Sequence, residues 1–448
     1  MNSRNNHCAL AAAVTLATAG MVACGGGDGS GIGTLSSAGI VSSAGQEKQP
    51  VAIASFGPNV VDDWNRVGVA TVTIPAAASG TPEERQPAND ADMATMHVAI
   101  YDALAAITRT HQPFTAVMPN DPAVGAMSQD YAVHGAAYTV LSTLFPARSD
   151  QYKSLYDTAI ASADAAALAS AQFGSDVARK VLAQRENDGR WTSLSPYVAG
   201  TAPGQFRGTN PVNRMRAFLR PFSLKSADQF RPEGPPALGS PEYAADLNET
   251  KAMGGATSTQ RTEQQTENAR FMTESPALFW TRNLRQFATS KPTLIGNARL
   301  MAMLMVAQTD ASIGCFEAKY FYNAWRPTSA IRLADTDGNA ATEPDTLWTP
   351  VVTTPNHPEY PGAHSCNTGA TAEVLQQEFG TKKIRFSLNS TVTGTTLAFE
   401  SVDEMNDAVQ QGRIHGGMHF RTATVHGRVL GEKVVRQLVR EHFNPVSP

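Results

Sequence analysis

The chain has 448 residues, with 36 Lys and Arg against 40 Asp and Glu, a formal net charge of −4 and 42% hydrophobic residues. This length exceeds one small domain and allows a large helical unit or two bundles around a shared core. The near-neutral balance supplies no whole-molecule field to draw nucleic acid or an anionic membrane, so any preference for anions has to be local.

Arg4 and the apolar run from about Ala9 to Ala23 are too short to cross a bilayer comfortably and have the form of a secretory signal over residues 1–23. The end of this run, Met21-Val22-Ala23-Cys24, resembles the lipobox of bacterial lipoproteins. That resemblance implies export and a lipid anchor on Cys24, with an ordinary signal peptide cut nearby as the alternative. Residues 24–57, opening with Gly25-Gly26-Gly27-Asp28-Gly29, are rich in Gly, Ser and Ala and read as a tether.

From about residue 58 the chain reads as helical to its end at 448. Met93, His97, Tyr101 and Leu104 recur every three to four residues and predict a core-facing helix. Ala137, Val140, Leu141 and Leu144 continue the period; Pro146 ends that helix, and Ser149 or Asp150 caps the next. Gly174-Ser175-Asp176 predicts a break before Val177, Val181 and Leu182. Between Trp191 and about Tyr243, Pro, Gly and Ser are frequent and periodicity fades, which predicts a long ordered connection over the surface. Helical pattern resumes near Ser258 and again from about Asn297 towards Trp325, with Pro327 as the stop. Met301, Met303 and Met305 read as core. No long β-branched alternation, repeat or second membrane span occurs, so the expected class is all-α, two helical bundles. Asp335 to Glu343 lacks full calcium-loop spacing and reads as a surface loop.

Three segments between 313 and 426 concentrate chemistry. Lys319 and Arg326 are seven residues apart, which on one continuous helix puts both on the same face. Two like charges on an otherwise apolar face suggest an anion between them. The segment His357-Pro358-Glu359-Tyr360-Pro361-Gly362-Ala363-His364-Ser365 is a small-residue turn opening a helix, where free amides and a positive dipole end favour an anion and His364 can exchange protons. The third segment is Arg413-Ile414-His415-Gly416-Gly417-Met418-His419. Its glycines suggest that Arg413 folds back over the start of the last helix beside His419. His415 and His426 read as structural. Cys315 and Cys366 flank these segments, and either a disulfide or two buried thiols fits them.

The ordered set Lys-x6-Arg-Pro, Pro-x2-His, Arg-x3-Gly-x-His resembles the signature shared by vanadium-dependent haloperoxidases and type 2 phosphatidic acid phosphatases. Asp63-Trp64-Asn65, Met96-His97-Val98-Ala99 and the stretch from Pro235 to Thr262 are similar to the bacterial haloperoxidase branch. The resemblance implies vanadate as cofactor, with hydrogen peroxide, halide and a small organic acceptor as reactants. By position it implies that Lys319, Arg326 and Arg413 hold anion oxygens while Gly362 and Ala363 donate amides. His419 becomes the vanadium ligand, or in a phosphatase the nucleophile; His364 is the acid–base residue, and Lys319 polarises bound peroxide.

The chain departs from that pattern twice: Gly362-Ala363 stands where the family has Ser-Gly, and Ala423 where the phosphatases carry an orienting Asp. His357 occupies the position of a His in algal bromoperoxidases and a Phe in the fungal chloroperoxidase, which implies bromide or iodide rather than chloride. An exported phosphomonoesterase working through a phosphohistidine, and a lipoprotein that binds oxyanions without turnover, are the alternatives. A membrane-embedded lipid phosphatase is disfavoured by the absence of spanning segments.

Overall fold

Thr293 accepts a hydrogen bond from the amide of Gly296 and opens a 29-residue helix, Leu294–Tyr322, in a computed structural model that describes residues 41–42, 56–73, 89–115 and 121–446. The signal-like segment, Cys24 and nearly all of the expected tether lie outside the described residues. Every residue of the long helix from Leu300 to Phe316 is buried, the three methionines included. A helix apolar on all sides needs neighbours all round. It packs against Asn89–Thr108 on one side and against Ala363–Phe379 and Arg421–Glu441 on the other. One bundle is built from Val60–Thr73, Asn89–Thr108, Gln129–Leu144, Ser149–Ala159 and Ala165–Gln184; the second adds Pro241–Gly254, Glu263–Phe271 and Val402–His415. The chain is mostly helical, with a small antiparallel sheet in which Thr395–Phe399 pairs with Phe386–Asn389 and with Val41–Ser42. Among the described residues no helix is long and apolar enough to cross a membrane.

The stretch between Trp191 and Tyr243 is an ordered connection whose regular elements are a 3-10 turn, Arg214–Phe218, and the start of the helix at Pro241. Buried Asp310 of the long helix holds it: Asp310 accepts hydrogen bonds at 2.7 Å from the amides of Phe222 and Ser223 and from the Ser223 hydroxyl.

Several boundaries differ from the sequence reading for identifiable reasons. Gly174 does not break its helix, which runs unbroken from Ala165 to Gln184. The glycine serves close packing instead: a Cβ on Gly174 would lie 1.9 Å from the carbonyl oxygen of Ala132, and one on Gly135 would lie 1.8 Å from that of Ala171. Neither Ser149 nor Asp150 caps its helix, because Arg148 occupies the N-cap without a side-chain bond. The helical region expected near Ser258 starts at Glu263, after a capping box formed by Thr262 and Gln265. Pro327 does not stop the long helix; Asn323, in left-handed conformation at φ +49, ends it, and Pro327 opens the short helix Pro327–Arg332.

The same close packing sets the site-bearing pair of helices. A Cβ on Gly431 would lie 2.1 Å from the carbonyl oxygen of Cys366, so a side chain there forces Arg421–Glu441 away from Ala363–Phe379. Gly431→Leu is therefore expected to lower stability by about 3 kcal/mol or more, read as a fall in denaturant midpoint. Gly239→Ala, where nothing lies within 4 Å, is expected to leave it unchanged. Equal midpoints for the two variants would refute the packing argument.

Candidate active site

Lys319 sits in the last turn of the long helix and is fully buried. Its ammonium donates to the carbonyl oxygens of Pro358 at 3.0 Å, Glu359 at 2.9 Å and Pro361, which uses all three of its protons. Arg326 lies beyond the helix end, at the N-cap of Pro327–Arg332, so the two cations do not share a helix face as the spacing suggested. They converge because the chain turns at Asn323. The Arg326 guanidinium donates to the carbonyl oxygens of His357 and Met418, each at 2.8 Å, and reaches His357 Nδ1 at 2.9 Å and His419 Nε2 at 3.2 Å.

Arg413 belongs to the last turn of Val402–His415 rather than to a loop folded over the next helix. The turn through Gly416 and Gly417, the latter at φ +72, then brings His419 round to the same place. Arg413 donates through Nη1 to the carbonyl oxygen of Met272 at 2.7 Å, and its buried Nε has no partner.

His419 is held by a residue that the sequence reading quoted without assigning it a role. Glu359 Oε1 accepts from His419 Nδ1 at 2.8 Å and from the amide of Phe420 at 3.0 Å. With Nδ1 carrying the proton, Nε2 is the acceptor end of the ring, its lone pair directed at Arg326 Nη1 at 3.2 Å. The carboxylate thus takes the place of the orienting Asp missing at Ala423. Its signal was available: a lone Glu in a Pro-Glu-Tyr-Pro run, five residues before His364.

A cavity of about 280 Å³ is lined by Ala363, His364, Arg413, His419, His357 and Arg216 among others. Lys319, Arg326 and Gly362 do not line it. The Gly362 amide donates to the carbonyl oxygen of Ala423 at 2.8 Å, so it is not a free anion donor as expected. Ala363, His364 and Ser365 start the helix, whose first backbone bond runs from Cys366 to Gly362, leaving three forward amides. His364 Nε2 donates to the carbonyl oxygen of Glu274 at 2.8 Å, which makes Nδ1 its basic atom. The Ser365 hydroxyl is buried without a partner, and Ser365 packs towards the position of Gly427 rather than lining the cavity. Cys315 and Cys366 are buried free thiols.

Neither Lys319, Arg326 nor Arg413 forms an ion pair with a carboxylate among the described residues, and burial lowers their basicity to about 8, about 10 and about 9. Burial also holds His357, His364 and His419 well below their ordinary range, with the nearby guanidinium groups adding to it. Burial pushes Glu359 up to about 7 against the pull of Arg326 and Lys319. The site is a buried positive region beside a neutral, oriented imidazole, an arrangement whose charge and donors suit an oxyanion.

Residues 299–447 match the family described as the VCPO second helical-bundle domain. The vanadium chloroperoxidase of Curvularia inaequalis is 26% identical, over 72% of this chain and 66% of that protein, so the match spans just under two thirds of the relative. The crystal structure of a bacterial vanadium-dependent iodoperoxidase superposes with a TM-score of 0.71 at 22% identity, covering 88% of this chain and 99% of that one. A holo-type bacterial vanadium-dependent chloroperoxidase superposes with a TM-score of 0.68 at 15% identity, covering 86% and 98%. These structural likenesses establish a shared fold.

Glu359→Ala leaves His419 Nδ1 without its acceptor and is expected to weaken vanadate and phosphate binding about ten- to a hundredfold, measured by titration calorimetry. Glu359→Gln keeps an acceptor oxygen and should lose less. Unchanged affinity in the alanine variant would remove the orienting role.

Six buried histidines, His97, His134, His357, His364, His415 and His419, have depressed basicity. As pH falls through 6.5 the unfolded chain takes up protons that the folded one refuses, so their stabilising effect is complete above that pH and lost below it. Glu359 and Asp92, raised to about 7 and about 6, act oppositely, as do Asp130, Asp246 and Asp310, which burial also raises; with His111, His426 and His442 lowered as well, the histidines outnumber them. The melting temperature should therefore fall as pH drops from about 6.5 to about 5; a rise over that range in calorimetry would contradict the neutral, buried imidazoles.

Proposed function

We propose that the chain is a vanadium-dependent haloperoxidase, a reading supported by the match of residues 299–447 to the VCPO second helical-bundle domain and by the 26% identity to a vanadium chloroperoxidase. In this reading it uses hydrogen peroxide to oxidise halide, which then halogenates small organic acceptors. One observation carries the reading: three buried cations, with no carboxylate ion pair among the described residues, lie around an imidazole that Glu359 orients through Nδ1. An oxyanion is the species that such a region lacks.

The donor set fits vanadate. His419 Nε2 is the nitrogen that would ligate, exchanging its contact with Arg326 Nη1; the orphaned Arg413 Nε and the forward amides of Ala363 and His364 are the free donors, and Lys319 and Arg326 supply charge from behind. Bound vanadate supplies Lewis acidity that makes peroxide open to attack by halide. The protein's own contribution is electrostatic and acid–base. Lys319 and Arg326 hold the loop carbonyls and the His419 ring in position, and Arg413 balances the charge of the anion. His364, neutral and with Nδ1 free, takes a proton from peroxide and returns it later. The preference for bromide or iodide rests on His357, a neutral imidazole in the cavity wall.

The Glu359–His419 pair also favours a second reading, a phosphomonoesterase, because a histidine nucleophile needs such an orienting carboxylate. Export and anchoring through Cys24 belong to the proposal on the strength of residues 1–24 alone.

The deciding experiment uses purified, metal-stripped protein assayed for bromination with peroxide and for p-nitrophenyl phosphate hydrolysis, each with and without vanadate. Vanadate-dependent bromination is expected, with His419→Ala and Arg413→Ala each losing about a hundredfold or more. Ester hydrolysis that vanadate inhibits, without bromination, would favour the phosphatase. Full bromination by His419→Ala would overturn the site.

A further inference from the structure

Asn213, at φ +63, opens the 3-10 turn Arg214–Phe218 and sets two arginines, Arg214 and Arg216, on it. This turn is tied to the site. The Val212 amide donates to the carbonyl oxygen of Asn356 at 2.9 Å, and Tyr320 Oη donates to that of Val212 at 2.6 Å, fixing the turn against the residue before His357. A wider, more open cavity of about 530 Å³ lies along it, with Asn89, Leu194 and Arg214 in its wall. This outer cavity shares Val212, Asn213, Arg216, Ser275 and Ala277 with the inner one that contains His364, Arg413 and His419. The two therefore adjoin, and Arg216 stands at the boundary, or neck, between them.

No Asp or Glu lines either cavity. Arg216 is buried, paired on one side with Asp90 and lying 5.7 Å from the ring of Phe316 in the inner wall. Arg214 has no ion pair among the described residues; its guanidinium lies 5.6 Å from the ring of Tyr197. An anion moving inward meets Arg214, then Arg216, whose charge is shared with Asp90, then Arg413, and no carboxylate in the lining of either cavity. The cations of this wall are all arginine. Guanidinium is weakly hydrated, which suits large, weakly hydrated halides such as bromide and iodide better than an ammonium would.

We propose that the Asn213–Arg216 turn is the halide access route of this site, Arg214 collecting the anion in the outer cavity and Arg216 passing it through the neck. The inference rests on the haloperoxidase reading for the identity of the anion. Hydrogen peroxide is neutral and gains nothing from the route, so the two reactants respond differently to its loss.

In the full-length, vanadate-loaded protein, Arg214→Glu is expected to raise the KM for bromide about three- to tenfold at low ionic strength, Arg214→Gln less. The KM for peroxide should stay within about twofold, and the bromide effect should shrink as ionic strength approaches about 0.5 M, where exposed charges are screened. Arg216→Gln alone leaves Asp90 buried and unpaired, so the neck is tested with Asp90→Asn and Arg216→Gln together. Vanadate-free protein gives a second readout: bromide-81 NMR should show exchange broadening that Arg214→Glu reduces. An unchanged bromide KM in both Arg214 variants, or native protein that leaves the bromide line unbroadened, overturns the route. Broadening that depends on Arg214 in a protein without vanadate-dependent bromination keeps the route and sinks the reaction assigned to it.

Discussion

Three buried cations that form no ion pair with a carboxylate among the described residues are the constraint around which the rest of the site is arranged. Lys319 is satisfied by three backbone carbonyls and Arg326 by two carbonyls and two imidazoles, while Arg413 is left with an orphaned Nε. Polar contacts of this kind meet the hydrogen-bonding needs of the groups but do not cancel their charge. The lowered basicity of all three expresses the remainder. Glu359 offsets part of that charge on Lys319 and Arg326, and an anion in the adjoining cavity, as proposed above, would offset more.

The segment Pro355 to Pro361 is shaped by the same need. It turns the carbonyls of His357, Pro358, Glu359 and Pro361 towards Lys319 and Arg326. Prolines at 355, 358 and 361 carry no amide proton, so the inward run of carbonyls leaves few donors to satisfy. Helix ends complete the arrangement. Lys319 and Arg413 occupy the last turns of their helices, where a positive charge meets the negative dipole end, and the forward amides of Ala363–Phe379 face the cavity side. Glu359 and Asp246 both accept amides at the start of Arg421–Glu441, so the carboxylate that orients His419 is itself held by a helix terminus.

Much of this was legible in the residues. The all-helical class followed from 3.6-residue periodicity with no competing alternation, and the core position of Met301, Met303 and Met305 followed from the same pattern. His364, Arg413, His419 and Ala363 line one cavity. Local reasoning failed where a residue's role depends on a partner far along the chain. Gly174 was read as a helix break because isolated glycines weaken helices, whereas here it faces the backbone of Ala132. Gly362 was read as a donor, but its amide faces Ala423. The vacancy at Ala423 was read as a missing carboxylate, while Glu359, from another segment of the chain, supplies one to His419 Nδ1.

Spacing along the chain determined the helices, the order of the anion-binding segments and the residue types available to each, because those depend on periodicity and local backbone chemistry. Only the tertiary structure decided which cations face the cavity and which stand behind it. Lys319 and Arg326 are neighbours not through a shared helix face but through a left-handed turn at Asn323 followed by packing against a loop some forty residues later. The physical reason is that a buried charge takes whatever acceptors the packed interior brings to it, and those come from chain segments that no local pattern relates.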